Sequence, residues 1–476
     1  MASRVLRVRN SAEGALREGI ARIQEELHVD PAFAPEVEQA ATAAAAAPRL
    51  PELDRTDLEL VTIDPVGSMD LDQAMHLERD GDGYVVHYAI ADLAAFITAG
   101  DPVDVEANRR GETLYGADTT VPLHPTALSE GAASLLPGQV RPAFLWTLKV
   151  DRHGELGDAR VERARVTSRA RLDYEGVQQQ LDDGSAGETL QLLREVGQLR
   201  VAQEIDRGGV NLPMPEQEVD IEGDVWKLEF RTVLPVESWN AQISLLTGFA
   251  AASMMINGRV GVLRTLPPPE HDAVKRLHRT AKALKIDWPA EQHYPDFIRG
   301  LDSSRPNEAA MVVACTALLR GAGYVGFDGE LPAQPEHAAL ASEYAHVTAP
   351  LRRLVDRYAL EVCAALTAGE QVPQWVLDRL HDLPATMQES GRRAHQYEAA
   401  VLDLVEAETL KGRVGEPFEG VVLEVEHDEL TKGDLMVRDP AVEARVVGRE
   451  ALPVGEAVTV TLAEADPATR TVRFQL

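Results

Sequence analysis

The sequence predicts an α+β protein, on three observations. Short strand-like runs occupy the stretch from about Arg55 to Leu190, longer stripes of helical spacing follow to Leu410, and short β-type runs return after Gly415. At 476 residues the chain is too long for one compact core. The expected organisation is a short N-terminal helical region and linker at 1–54, a large α+β domain at 55–410 and a small barrel at 411–476.

The N-terminal region begins with Leu16, Ile20, Ile23 and Leu27 at helical spacing after Ser11, a suitable N-cap. A second helix is expected to follow Pro35 and run into the Ala43–Ala47 tract until Pro48 stops it. The pair, with Arg4, Arg7, Arg9, Arg17 and Arg22, reads as a plain helical appendage or as a helix-turn-helix-like module. Within the large domain, Leu71–Leu77 and Tyr84–Ala91 form a hairpin around Asp80-Gly81-Asp82-Gly83. Ala309–Arg320 and Arg392–Lys411 carry apolar stripes and are expected as helices. At the C-terminus five runs, Phe418–Val425, Asp434–Val437, Ala444–Val447, Ala457–Leu462 and Thr471–Leu476, suit a five-stranded OB-type barrel. A β-rich cap without ligand is the alternative.

Hydrophobic residues make up 45% and charged residues 26%, so the chain has the composition of a folded protein rather than a disordered one. Acidic residues outnumber Lys plus Arg by 77 to 47, a net charge of -30. Spread over the surface, that charge disfavours non-specific nucleic-acid binding but leaves open an enclosed cationic channel. Cys315 and Cys363 are the only cysteines, which excludes a disulfide framework and fits a reducing cytoplasm. The longest apolar run, Ser244–Ile256, is broken by Gly248 and Ser253 and is shorter than the ~18 residues of a membrane span. No membrane association, secretion signal or obligate protein partner is expected, and a monomer suffices.

The chemistry concentrates in Thr62–His76. Asp64, Asp70 and Asp72 lie close together, separated by Pro65, Gly67 and Ser68, which favour a turn. If a strand has begun by Asp70, Asp70 and Asp72 face the same way. Carboxylates so close require a cation, and hard oxygen donors suit Mg²⁺ or Mn²⁺ sharing coordination with a phosphate. Taken alone, such a loop serves equally as a helix cap or a calcium loop.

Several ordered motifs decide among these readings. Ile63-Asp64-Pro65 through Met69-Asp70-Leu71-Asp72, the hairpin ending Ala89-Ile90-Ala91-Asp92, and Tyr115 before Val121-Pro122-Leu123-His124-Pro125 come first. Ser134-Leu135-Leu136-Pro137 with Val140-Arg141-Pro142, Ser168-Arg169-Ala170-Arg171-Leu172-Asp173-Tyr174 and Tyr344-Ala345-His346-Val347-Thr348-Ala349-Pro350-Leu351-Arg352-Arg353 follow. Together, over roughly Asp57 to Leu410, they resemble the RNase II (RNB) family of exoribonucleases. The resemblance implies an RNB catalytic domain followed by a C-terminal S1-type OB domain, and hydrolysis of single-stranded RNA processively from the 3′ end to 5′-mononucleotides. It implies that Asp64, Asp70 and Asp72 are the catalytic, Mg²⁺-holding carboxylates, that Tyr115 stacks on bases, and that Arg352 contacts the scissile phosphate. Arg353, Glu398, Tyr344, His346, Arg169 and Arg171 are the further candidates for RNA contact. Arg160, Arg163, Arg165, Arg169 and Arg171 form the densest basic stretch, lining a channel or making a solvated strand face.

The sequence also departs from the family. A fourth Asp usually follows the third, and here Gln73 stands there as a weaker candidate ligand. Ala241 and Gln242 replace paired glutamates, and Leu212 occupies the place of a second clamping aromatic. The residues before the large domain are too few for the two cold-shock domains that commonly precede it, so the C-terminal barrel is expected to hold RNA. Two alternatives follow: a catalytically weak or inactive RNB-fold RNA-binding protein, or a phosphodiesterase for short oligoribonucleotides.

Overall fold

Apolar alternation rolls the strands Leu60–Asp64, Gln73–Asp80, Gly83–Ala91, Val140–Val150 and Leu156–Asp173 into a closed barrel. Neighbours are antiparallel, except that Leu60–Asp64 closes the ring by running parallel to Leu156–Asp173, with Asp64 opposite Asp173. Every residue of Gly83–Ala91 is buried because its two faces serve different cores. Val86, Tyr88 and Ile90 join Phe144, Trp146 and Leu148 on one side, while Ala89 and Ala91 join Ala143 and Leu145 on the other. The structure, a computed structural model, describes residues 6–8, 14–117, 120–214, 216–222, 225–231 and 233–476.

The expected hairpin is present, but its first strand starts at Gln73 rather than Leu71, and Asp80 pairs with Gly83 across the tight turn. Gly81 there has φ 63°, a left-handed conformation that glycine adopts without steric cost. The late start has a consequence for the carboxylates: Asp70 and Asp72 precede the strand, so strand alternation does not orient them. The barrel itself was not expected from sequence.

Helices pack around this barrel. Pro235–Gly258 begins at a proline, and Glu237 accepts the Leu234 N–H at 2.9 Å, which satisfies one of the donors left free at a helix start. The helix buries Leu246, Ala250, Ala251, Ala252 and Met255 of the run Ser244–Ile256, and among the described residues no helix is long and apolar enough to cross a membrane. The 28-residue helix Leu383–Leu410 begins earlier than expected and buries Tyr397, Val401 and Leu404. Pro306–Cys315 is also shorter than expected and ends in a 3-10 turn, Thr316–Leu319.

After Leu410, Pro417–Glu426, Glu429–Val437, Val442–Val447, Ala457–Asp466 and Thr471–Gln475 form a second closed barrel, the expected five-stranded OB-like unit. Phe418, Val422 and Phe474 from this barrel share one core with Leu16, Ile20 and Ile23 of the helix Ala15–Glu26 and with the long helix Leu383–Leu410. The helix Pro35–Ala46 instead packs on the segment Ala127–Ala132 and the helix Pro102–Arg110, in a different core. The two N-terminal helices therefore bury their apolar residues in different cores. Ser11, Arg4 and Arg9 lie outside the described residues. Cys315 and Cys363 are buried and unpaired with each other.

Candidate active site

The acidic loop leaves the barrel at Asp64, the last residue of its strand, and returns at Gln73. Ser134 holds the middle of it: its buried hydroxyl accepts the Leu71 N–H at 3.0 Å and donates to the Met69 carbonyl at 2.6 Å, fixing the peptide groups on both sides of Asp70. Leu135 N–H adds a bond to the Leu71 carbonyl at 3.0 Å. The Ser134-Leu135 motif thus has a geometric reason that its sequence alone did not show. Arg171 braces the outer part, donating to the Ser68 carbonyl at 3.1 Å and reaching Met69 Sδ at 3.0 Å.

Across from the loop, Pro350, Leu351 and Arg352 form a turn, and the helix Leu354–Ala368 starts with Arg353 as its cap residue. Pro350 is therefore not in the first helical turn, as its sequence position suggested. Asp72, only 4% exposed, accepts the Leu351 N–H at 2.7 Å through Oδ1, and its Oδ2 lies 3.8 Å from Arg352 Nε. The Arg352 side chain is 45% exposed, so its guanidinium faces solvent beside a buried acid. Arg353 points inward instead, in a bidentate pair with Asp356 at 2.6 and 2.8 Å, and Asp356 also accepts the Ala349 N–H at 2.8 Å. The RNA contact expected of Arg353 is corrected to an internal ion pair.

Burial governs the electrostatics. It lifts the Asp64 carboxyl to about 7, with Asp70 adding repulsion and Arg352 and Arg171 opposing. Burial also raises Asp70, against its own backbone N–H and Arg352. Asp72 is held well above the usual carboxylate range by burial, with Arg352 and the Leu351 N–H pulling it back and Asp70 and Asp356 pushing further. Three acids are thus pressed toward neutrality where a cation would stabilise their charged forms.

The ligand set expected from sequence is only partly assembled. Gln73 spends both ends of its amide inside the protein: Oε1 accepts from the Tyr88 hydroxyl at 2.9 Å, and Nε2 donates to the Thr348 carbonyl. Each end of the amide thus already holds one hydrogen bond within the protein. Among the described residues no group of three or more His, Cys, Asp or Glu side chains closes into a metal-holding set. What remains fits a cation held by few protein ligands: the donors are all oxygen, and Asp64 Oδ2 is buried with no hydrogen-bond partner. Mg²⁺ is commonly bound in this way, by one or two carboxylates completed by water and substrate phosphate.

Tyr115 stands within electrostatic reach of Asp70, Asp72 and Arg352, its hydroxyl pushed up to about 12 mainly by burial. Its N–H bonds to Glu398, whose carboxyl is lifted to about 7 by burial and by Glu112. Glu112 was not anticipated from sequence; its Oε1 is buried without a partner. Tyr344 and His346, the further candidates for RNA contact, stand in a cluster of rings with Tyr324. Tyr344 is 6% exposed, and His346 Nδ1 lies 2.8 Å from the Tyr324 hydroxyl. The arginines of the basic strand are bonded at the surface: exposed Arg169 donates to the Thr56 carbonyl at 2.7 Å, Arg165 pairs with exposed Asp54, and half-buried Arg163 pairs with Asp92 and Glu361. The structure therefore brings together Asp64, Asp70, Asp72, Arg352, Tyr115 and Glu398, and places Arg353, Tyr344, His346, Arg169 and Arg171 in supporting positions.

Comparison with known proteins agrees with this arrangement. Residues 53–367 match the RNB domain, and residues 416–476 match the RNase II-type exonuclease C-terminal S1 domain. Ribonuclease R 1 of Lactococcus lactis is 24% identical over 87% of this chain and 55% of its own length. Ribonuclease R of Escherichia coli is 25% identical over 78% of this chain and 48% of its own. The chain thus spans about half the length of these relatives. In fold it is similar to Mycoplasma genitalium RNase R in complex with ribose-methylated single-stranded RNA, with a TM-score of 0.85 at 20% identity, covering 97% of this chain and 78% of that one. It also resembles yeast Ssd1, a pseudonuclease, with a TM-score of 0.70 at 15% identity, covering 90% of this chain and 55% of that one. With a family match over well more than half its residues, an S1 domain behind it and the acidic loop facing an arginine turn, the chain belongs to the RNase II (RNB) family.

Proposed function

We propose that the protein hydrolyses single-stranded RNA from its 3′ end, processively, to 5′-mononucleotides. The observation that carries this reading is the facing pair of elements, with Asp64, Asp70 and Asp72 on one side and solvent-facing Arg352, 3.8 Å from Asp72, on the other. A phosphodiester between them meets the guanidinium with one non-bridging oxygen and the carboxylates with its attacking water. Arg352 neutralises charge that develops on the phosphoryl oxygens. Asp72, fixed by the Leu351 N–H, keeps that arginine oriented. Asp64 and Asp70 hold Mg²⁺, or Mn²⁺ in its place. When bound, the ion lowers the pKa of a water and screens the phosphate. Burial raises the Asp64 and Asp70 carboxyls while no cation is present, and an ion held between them would favour their charged forms.

Tyr115 offers a ring for the terminal bases, with Glu398 beside it, and the C-terminal barrel offers a second surface for the strand. The two cysteines, free and buried, suit a reducing cytoplasm, and in this reading the enzyme acts as a monomer. The test is a time course on 5′-labelled single-stranded RNA and DNA of one sequence, with Mg²⁺ or with chelator. A metal-dependent ladder from the RNA 3′ end, absent from DNA, is expected; a preference for oligomers of a few nucleotides would replace the processive reading with the short-oligonucleotide one. A second reading, an RNA-binding protein with little catalysis, draws on the internal commitment of Gln73 and would appear as tight binding without cleavage.

A further inference from the structure

Resting on the hydrolytic reading above, we infer that Gln73 is a positioning residue that sets the arginine turn over the acidic loop, and that an Asp in its place would lower activity rather than restore a lost metal ligand. The residue stands where a carboxylate would be expected to add charge to the site, so the two assignments predict opposite effects of one substitution.

The geometry points to the brace. Gln73 opens the strand Gln73–Asp80, directly after Asp72. Its carbonyl oxygen accepts a hydrogen bond from the hydroxyl of Tyr88, a fully buried residue on the neighbouring strand, at 2.9 Å. Its amide N–H goes to the carbonyl of Thr348, which is 3% exposed. Thr348 is itself anchored on the other side, its hydroxyl 2.7 Å from that of Ser244 on the helix Pro235–Gly258. A continuous polar chain therefore runs from the barrel through Gln73 to the helical layer.

Adjacent residues Asp72 and Gln73 hold adjacent parts of one turn. Asp72 Oδ1 takes the Leu351 N–H while Gln73 supplies the donor for the Thr348 carbonyl. His124 Nδ1 lies 3.0 Å from the Leu351 carbonyl, and Thr113 N–H donates to the Arg352 carbonyl at 3.0 Å. Only the Gln73 link requires a side chain that both donates and accepts. An amide meets that requirement and a carboxylate does not. In Gln73→Asp the shorter side chain leaves the buried Thr348 carbonyl without its donor and adds a negative charge beside Asp70 and Asp72. Gln73→Met keeps the length and loses the same donor without adding charge.

The experiment compares wild type, Gln73→Asp and Gln73→Met in RNA hydrolysis at saturating Mg²⁺, with hydrogen exchange of the segment 344–353 measured on the same proteins. Both variants are expected to lose roughly tenfold in kcat, equivalent to about 1.4 kcal/mol, with KM for RNA changed much less. Both are expected to exchange faster in 344–353. An order of Asp above Gln above Met in kcat, or unchanged exchange in that segment, would overturn the inference. Should wild type fail to hydrolyse RNA, the hydrolytic reading falls, while the exchange data still decide whether Gln73 braces the turn. Melting midpoints establish that each variant is folded.

Discussion

At the residue scale, two adjacent arginines have opposite duties, and the difference lies in what each one touches. Arg352 faces solvent beside Asp72, whereas Arg353 is sealed in a bidentate pair with Asp356. Arg352→Ala is therefore expected to reduce kcat by about 10²–10³ with the fold intact. Arg353→Ala leaves Asp356 buried and unpaired and is expected to cost on the order of 3–5 kcal/mol in stability, seen as an early denaturation midpoint. The Glu398 carboxyl provides a pH signature. Its folded value, about 7, lies above its ordinary value of 4.5, so the folded state holds this proton more tightly than the unfolded state does. Stability is thus unaffected by this group at low pH and is lost as pH rises from about 4.5 through 7. Glu398→Gln should be more stable than wild type at pH 8 by on the order of 1–3 kcal/mol, and equal to it near pH 4. Equal melting midpoints of the two at pH 8 would refute the assignment. The carboxylates Asp64, Asp70 and Asp72 were legible because three acids in a turn-prone run stand out locally. Tyr88, Ser134, Thr348 and Glu112 were not, because their meaning lies in partners that only folding brings near.

At the element scale, the C-terminal barrel could be read from the sequence since each strand is short, alternating and bounded by turn residues. The first barrel could not. Its closing contact pairs Leu60–Asp64 with Leu156–Asp173, elements separated by most of the ring, and the latter is a long arginine-rich strand whose outward side chains hide its apolar alternation. One approach of element to element supports the site directly. Gly248, inside the helix Pro235–Gly258, lies so close to the arginine-bearing segment that a Cβ there would stand 2.0 Å from Tyr344 Cε2 and 2.6 Å from the Ala345 carbonyl. Ala345 N–H bonds to the Gly248 carbonyl at 3.2 Å. Gly248→Ala must push that segment outward. A stability loss of about 1–3 kcal/mol is expected together with a fall in kcat. Wild-type kcat in this variant would show that the contact does not position Arg352.

Over the whole molecule, the net charge of -30 opposes a distant phosphate chain, and of the basic strand Arg163 and Arg165 are engaged by acids while Arg169 and Arg171 stay exposed. RNA capture then depends on the enclosed site and stacking more than on counterion release. The logarithmic dependence of RNA affinity on salt should accordingly be shallow, with a slope of roughly -2 to -3, corresponding to about three or four phosphates neutralised. Anisotropy titrations between low and moderate salt would measure it, and a steep slope would indicate a basic channel along the strand Leu156–Asp173.

In the proposed reaction the site is hydrolytic because Asp72 of the acidic loop and Arg352 of the turn opposite stand 3.8 Å apart. The most direct test of this claim is the 3′-end ladder from 5′-labelled single-stranded RNA in Mg²⁺, run on wild type and Asp72→Asn. Asparagine keeps the size of the side chain and its hydrogen bond from Leu351 N–H while removing the charge beside Arg352. Loss of the ladder with RNA binding preserved is the predicted result, and equal cleavage by Asp72→Asn would contradict the claim.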